Sequence, residues 1–354
     1  MIDKYVVENS LRLVSENSYL FSQFRNKSIY ITGSTGMIGS QIAVTLLEAN
    51  EKYNLNLKIF CLVRSLEKAE YIFKDYYNKL NFIVGDICNE LICEEEIDYI
   101  IHGANSTNSL DFINKPIDTI MTTFIGTDNI LNFAKKKNVQ SLVYLSSLEV
   151  YGAFDSEKEV SENDFGSLDP SQIRSSYSEG KRISETLCIS YGKEYNVPVK
   201  IARLCQTFGP GVPYDDNRVF AQFAKSLINK EDIILHTPGT TMRNYCSTKD
   251  AILGIFFILL KGKNSESYNI ANEDTFISIK DMARLVCDMD DSKSIKVCIQ
   301  LKDINEMGYN PEVKVKLLSE KLNKLGWLPS QGLDSMFDHL VNSMTLDKEQ
   351  NGRK

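Results

Sequence analysis

The chain has 354 residues, of which 40 are basic and 47 acidic, giving a formal net charge of -7. That length exceeds one ordinary domain and allows either one large core or two packed lobes. The signs are interspersed, which excludes the basic footprint of a nucleic-acid binder, and no run approaches the ~18 apolar residues of a membrane span.

No basic segment followed by an apolar one opens the chain, so the expectation is a cytoplasmic protein with neither a membrane nor a nucleic-acid partner. The eight cysteines are scattered, several within apolar runs, and none shows C-x-x-C spacing. They read as free thiols in a reducing compartment. The three histidines, 102, 236 and 339, lie far apart in sequence, and no metal site is expected.

Residues 1–26 carry Val6, Val7, Leu11, Val14, Leu20, Phe21 and Phe24 at a loosely helical period, which predicts an N-terminal helical arm. From Ser28 the pattern changes to short β-branched runs: "SIYIT", "KIFCLV", "NFIVGD", "DYIIHGA", "SLVYLSS" and "VKIARL". Helical segments separate them, which predicts an α/β fold: a doubly wound parallel sheet over 27–204. After "FGPG" the rhythm loosens through "RVFAQFAKSLIN", a turn at "TPGTT", apolar "AILGIFFILLK" and a short strand "SYNIA". This predicts a smaller lobe over 205–345, partly interleaved with the first. Residues 346–354 are polar and are expected to fray.

"IYITGSTGMIGSQIAVTLL" sets Gly33, Gly36 and Gly39 between a strand and a helix, with Met37 and Ile38 opening the helix. Glycines there permit a tight turn and close backbone approach, and the helix N-terminus offers N–H groups to a pyrophosphate. The second strand should end in an acid if a ribose 2′-hydroxyl selects NAD. "CLVRS" has Arg64 at that place, which could stack on adenine, pair with a 2′-phosphate as in NADP, or be an exposed loop arginine. NAD and NADP both stay open. Asp86 and Ile87 in "GDI" could line the adenine pocket or form an ordinary turn.

"LSSLEVYG" ends a strand with Ser147 and Glu149 among apolar residues, and "SSYSEGKRISETL" places Tyr177 and Lys181 four apart on one helical face. A lysine ammonium beside a tyrosine stabilises its phenolate and makes it a usable base. Alone, that spacing fits any surface helix. Together with the glycine loop, "SLEVYG", "YSEGK", "QTFGPG", "RVFAQF", "TMRNYCSTKDA" and "KLNKLGWLP", it resembles the extended short-chain dehydrogenase/reductase family over about 27–340. The similar members are its nucleotide-sugar epimerases, dehydratases and decarboxylases.

The resemblance implies a Rossmann-type fold with a smaller C-terminal substrate lobe. It further implies a bound nicotinamide cofactor, a nucleotide-diphosphate sugar substrate and a homodimer built from the helix around 115–137 and the Tyr177 helix. It gives catalytic roles to Ser147, Glu149, Tyr177 and Lys181. Cofactor contacts are expected from Gly33, Gly36, Met37, Ile38, Gly39, Arg64, Asp86, Ile87, Ala104, Tyr177 and Lys181, and substrate contacts from Ser147, Glu149, Gln206, Arg218, Val219 and Arg243. In the similar 4,6-dehydratases an acid precedes the glutamate and protonates the leaving oxygen; here that position is Leu148, so the pair is broken.

The nearest subfamily by motif is UDP-glucuronate decarboxylase, although Leu148 also replaces its serine and Gln206 stands where many members have Asn. Arg218 and Arg243 would clamp the diphosphate or, for Arg243, a sugar carboxylate. The first reading is therefore C4 oxidation followed by decarboxylation. A 4-epimerase, a 4,6-dehydratase, a 4-dehydrogenase/reductase and a non-catalytic cofactor-binding sensor are the alternatives.

Overall fold

The computed structural model describes residues 2–105, 107–154, 156–302 and 313–351. Helix α1 (Lys4–Glu16) starts where Asp3 accepts from the Val6 N–H at 2.9 Å, and a single turn, α2 (Ser18–Phe21), follows. The β-branched runs then become β1 (Ser28–Thr32), β2 (Lys58–Val63), β3 (Asn81–Val84), β4 (Tyr99–His102) and β5 (Ser141–Ser147). Between them lie α3 (Met37–Tyr53), α4 (Leu66–Phe73), α5 (Ser109–Asn114) and α6 (Pro116–Lys137). Strand β6 (Lys158–Val160), α7 (Ser175–Tyr195) and β7 (Val199–Leu204) complete this half.

β8 (Gln206–Phe208), α8 (Val219–Asn229), β9 (Ile233–Leu235), β10 (Met242–Ser247) and α9 (Thr248–Lys261) come next. They are followed by β11 (Ser267–Ile270), β12 (Asn272–Ser278), α10 (Ile279–Asp288), β13 (Val297–Ile299) and β14 (Lys314–Leu317).

The main sheet has seven parallel strands in the order β11-β7-β5-β4-β1-β2-β3. Strand order reverses between β1 and β4, and in open α/β sheets the crevice beyond the strand ends at that switch receives the ligand. Alternation along β1 sends Ile29 and Ile31 into one core with α3 and α9, and Tyr30 into the other with α6 and α7. Both faces are covered, so the strands read as continuous apolar runs.

The second sheet runs β12-β10-β14-β6 with β8 paired to β10, and β9 pairs β13 separately. Its core stacks Phe208 on Phe220 at 4.7 Å and packs Phe337 against Phe208 at 5.0 Å. The chain crosses between the two sheets repeatedly. β6 lies in the second sheet, whereas β11 pairs with β7 in the first and α9 packs beneath the first sheet.

The N-terminal arm lies on α3, where Ser10 Oγ meets Thr45 Oγ1 at 2.9 Å and the Tyr53 hydroxyl donates to the Val14 carbonyl at 2.9 Å. One expectation is corrected at the other end. Residues 346–351 do not fray but continue the C-terminal helix Leu333–Asn351. Two of their polar side chains have partners: the Tyr214 N–H donates to Asp347 Oδ2 and Lys348 Nζ to Asn229 Oδ1, each at 2.8 Å. Residues 352–354 lie outside the described residues.

Candidate active site

β5 ends with Ser147 still extended at φ -142° and ψ 154°, and its Oγ accepts from the Glu149 N–H at 3.2 Å. That bond caps one 3₁₀ turn, Leu148–Tyr151, which swings Glu149 off the strand axis. Helix α7 lies against this exit with one face. From that face Ser178 Oγ donates to Glu149 Oε2 at 3.1 Å, Lys181 Nζ to the Leu145 carbonyl at 2.7 Å, and Arg182 Nε to the Val150 carbonyl at 2.7 Å. Glu185, one turn further, accepts from Ser146 Oγ at 2.6 Å and from the buried Arg203 guanidinium. The position of Ser147 is thus fixed from both sides by charge-assisted bonds.

Tyr177 is buried, its ring stacked on Phe112 at 4.2 Å and 12°. Burial, reinforced by the Glu149 carboxylate, pushes its phenol well above the ordinary value, while the Ser147 hydrogen bond and Arg174 pull it back. Lys181 sits 5.9 Å from the Tyr177 ring centroid, and its burial depresses the ammonium to about 8. Ser147, Glu149, Tyr177 and Lys181 are therefore one cluster.

The sequence reading missed Arg174. Its Nη1 donates to Glu149 Oε2 at 2.8 Å and its Nη2 to Oε1 at 3.1 Å, and its guanidinium lies 5.6 Å from the Phe112 ring. The signal was a lone arginine at the mouth of the helix carrying Tyr177. Phe112 gave no signal, because its partner is 65 residues away in the chain.

The glycine loop sits at the strand switch. Gly33 has φ +71°, and a Cβ there would lie 2.6 Å from the Gly103 backbone; a Cβ on Gly39 would lie 2.2 Å from the Gly33 oxygen. Only glycine lets β1, β4 and α3 approach this closely. Gly36 caps α3 with no side-chain bond, which leaves N–H groups of the first turn for an anion. Met37 packs toward the second core and Ile38 toward the first, so this loop lies where the two cores meet.

The Gly103 and Ala104 N–H groups donate to Thr32 Oγ1, which makes the Thr32 hydroxyl the donor to His102 Nδ1 at 2.7 Å. Burial holds His102 neutral, down to about 3. Arg64 is exposed directly after β2, Asp86 accepts from the Cys88 N–H at 2.9 Å, and Ile87 is buried against Gly126. Arg64 and Asp86 therefore stand at the ends of neighbouring strands.

The remaining expected residues lie in the second lobe. Gln206 begins β8, two residues beyond Leu204, the register partner of Ser147. Arg218 is held by Asp216 at 2.6 Å and precedes Val219, the first residue of α8. Arg243 lies in β10, and its buried Nε has no partner among the described residues. Among the described residues, none of these side chains bonds to the Tyr177 cluster. No group of three or more metal-ligating side chains occurs among the described residues, and no described helix is long and apolar enough to cross a membrane.

A strand-switch crevice with a glycine-lined helix N-terminus and a serine, tyrosine and lysine at its far wall defines a dinucleotide-dependent oxidoreductase-type site. Residues 29–271 match the model of the NAD dependent epimerase/dehydratase family, and the chain belongs to that family. UDP-glucuronic acid decarboxylase 3 of Arabidopsis thaliana is 30% identical over 86% of this chain and 85% of its own. The dTDP-D-glucose 4,6-dehydratase of Homo sapiens is 29% identical over 86% of this chain and 85% of its own. Among solved structures, the epimerase Mth375 of Methanothermobacter thermautotrophicus superposes with a TM-score of 0.80 at 20% identity, covering 95% of this chain and 97% of that one. The cofactor is NAD, and the Gly33–Gly39 cradle and uncapped α3 fit its pyrophosphate.

Proposed function

We propose that this enzyme oxidises the sugar of a nucleotide-linked glucuronate at C4 and releases its carboxylate as carbon dioxide, leaving a nucleotide-linked pentose. The observation that carries this reading is the Glu149–Arg174 pair set beside Ser147 and Tyr177. NAD, when bound, supplies the acceptor and later the donor of the C4 hydride. Tyr177 takes the C4-hydroxyl proton while Ser147 holds the same oxygen, and Lys181 keeps positive charge near the phenolate. The resulting ketone is β to the carboxylate, so the C5–C6 electron pair can pass into an enolate as carbon dioxide departs. C5 then takes a proton that Glu149 relays from solvent, after which the hydride returns to C4.

The curated decarboxylase relatives support this substrate. A 4-epimerase is the second reading, favoured by the lack of an acid at Leu148, which packs against the main core and cannot serve a dehydratase. Incubation with UDP-, dTDP-, GDP- and CDP-linked glucose and glucuronate tests the choice. A pentose product from the glucuronate supports decarboxylation, and a C4 epimer with all carbons retained supports the second reading.

The same proposal includes a homodimer. Ile117, Met121 and Phe124 on α6 and Ile183 on α7 leave apolar side chains exposed along the paired helices. Sedimentation of the wild type against Phe124→Glu is the test. A wild-type monomer at micromolar concentration would remove the dimer.

A further inference from the structure

A glutamate beside the reacting carbon raises an electrostatic difficulty for the substrate class just proposed, on which this inference rests. A glucuronate brings a second carboxylate toward Glu149, and two unscreened like charges in a partly buried site repel strongly. A site that takes such a substrate must supply a cation between them. Arg174 and Glu149 are 20% and 15% exposed, so the pair is partly open to solvent while most of its surface is covered.

Glu149 occupies only one edge of the guanidinium. Nη1 and Nη2 each bond one carboxylate oxygen, at 2.8 and 3.1 Å. Guanidinium has five N–H donors and two edges able to grip a carboxylate. Arg174 Nε, on the other edge, is buried and has no partner among the described residues. Phe112, stacked on Tyr177, supports the guanidinium from one side and keeps it next to the reacting ring. The candidate named from sequence, Arg243, lies instead in β10 of the second sheet.

We infer that Arg174 is a specificity-determining residue whose partly exposed guanidinium holds Glu149 through one edge and offers its remaining donors to the substrate carboxylate. The guanidinium would bridge the two carboxylates, so that an acidic sugar is accepted where the glutamate alone would repel it. A merely positioning role makes a different forecast. If Arg174 acts only by orienting Glu149, removing Glu149 first should make loss of the arginine silent.

The test measures binding of UDP-glucuronate and of UDP-glucose to the NAD-loaded full chain by calorimetry. It compares wild type, Arg174→Met, Arg174→Lys, Glu149→Gln and the Arg174→Met/Glu149→Gln double variant. Arg174→Met should weaken UDP-glucuronate about 10- to 100-fold and UDP-glucose by less than about twofold. Arg174→Lys should recover part of the loss, because charge is kept and the fork is not. Glu149→Gln should tighten the uronate, and the double variant should still bind it about 10-fold worse than Glu149→Gln alone. Equal uronate affinity in the double and Glu149→Gln variants would overturn the inference and leave Arg174 a positioning residue. Equal losses for both sugars in Arg174→Met would also overturn it. A wild type that binds UDP-glucose but no nucleotide uronate would overturn the proposed substrate, and this inference with it.

Discussion

The buried Glu185–Arg203 pair makes the sharpest claim about what holds the site in place. Its side chains are 8% and 5% exposed, and the guanidinium reaches the carboxylate through Nε at 3.0 and 3.2 Å and through Nη2 at 2.7 Å. The other nitrogen, Nη1, donates to the Tyr151 hydroxyl at 3.0 Å and the Glu162 carbonyl at 3.1 Å, while Glu185 also accepts from Ser146 at 2.6 Å. Glu185→Gln keeps the volume but removes the charge and turns an amide donor toward a donor. Arg203 stays charged in the variant, because a guanidinium keeps its proton throughout the ordinary pH range. Stranding one member of such a pair costs about 3–5 kcal/mol, more than the pair contributes relative to an apolar replacement.

Urea unfolding of wild type, Glu185→Gln, Glu185→Leu, Arg203→Met and Glu185→Leu/Arg203→Met measures this, with the Leu and Met singles closing the cycle, provided the slope is unchanged so that midpoints can be compared. Each single variant should lose about 3–5 kcal/mol, and the double variant should lose clearly less than their sum. Because Ser146 precedes Ser147, the single variants should also lower turnover before they lower the folded fraction. A Glu185→Gln protein within about 1 kcal/mol of wild type, or additive losses in the double variant, would mean that the pair does not hold the site in place.

Tyr177→Phe should reduce turnover by about 10²- to 10⁴-fold while NAD affinity and thermal unfolding stay near wild type; turnover within twofold would remove Tyr177 from the mechanism. Lys181 is held at about 8, so it is an ammonium below that pH and a neutral amine above it. Support for the Tyr177 phenolate should therefore fade, and the rate fall, as pH rises through about 8, whereas a rate still climbing at pH 9 would contradict that role. Neutral, buried His102 should contribute no inflection near pH 6.5, which His102→Gln can check. Arg64 is exposed at the end of β2. If it pairs with a 2′-phosphate, Arg64→Ala should weaken NADP by about 1.5–3 kcal/mol and leave NAD unchanged, while equal small losses would assign it to stacking or to no contact.

Much of the main sheet was legible because its strands are buried on both faces and so stand out as short β-branched runs. "SIYIT", "KIFCLV", "SLVYLSS" and "VKIARL" are β1, β2, β5 and β7 residue for residue. Strand partners were less accessible. The pattern puts "SYNIA" in a later lobe partly interleaved with the first without naming its partner; β11 pairs with β7, because pairing is decided by crossovers that leave no local pattern. The C-terminal helix was misread at its end for a related reason: polar residues that look frayed in isolation are fixed by Tyr214 and Asn229, over 100 positions earlier.

In the site, Ser147, Glu149, Tyr177 and Lys181 could be picked out because a strand end and a helix each carry a recognisable local string. Arg174 and Phe112 could not, since their value lies in what they touch: a carboxylate on another element, and the ring of Tyr177. The same holds for Arg203, whose partners come from α7, the 3₁₀ turn and the segment after β6.

Decarboxylation requires that carbon leave the sugar after C4 oxidation. The direct measurement is to run the reaction with UDP-glucuronate in deuterium oxide, follow released carbon dioxide, and read the product by mass and NMR. Decarboxylation predicts one carbon dioxide per product and a nucleotide pentose carrying deuterium at C5, with Glu149→Gln slowing its formation. An unlabelled C4 epimer with all its carbons, formed at full speed by Glu149→Gln, would contradict it.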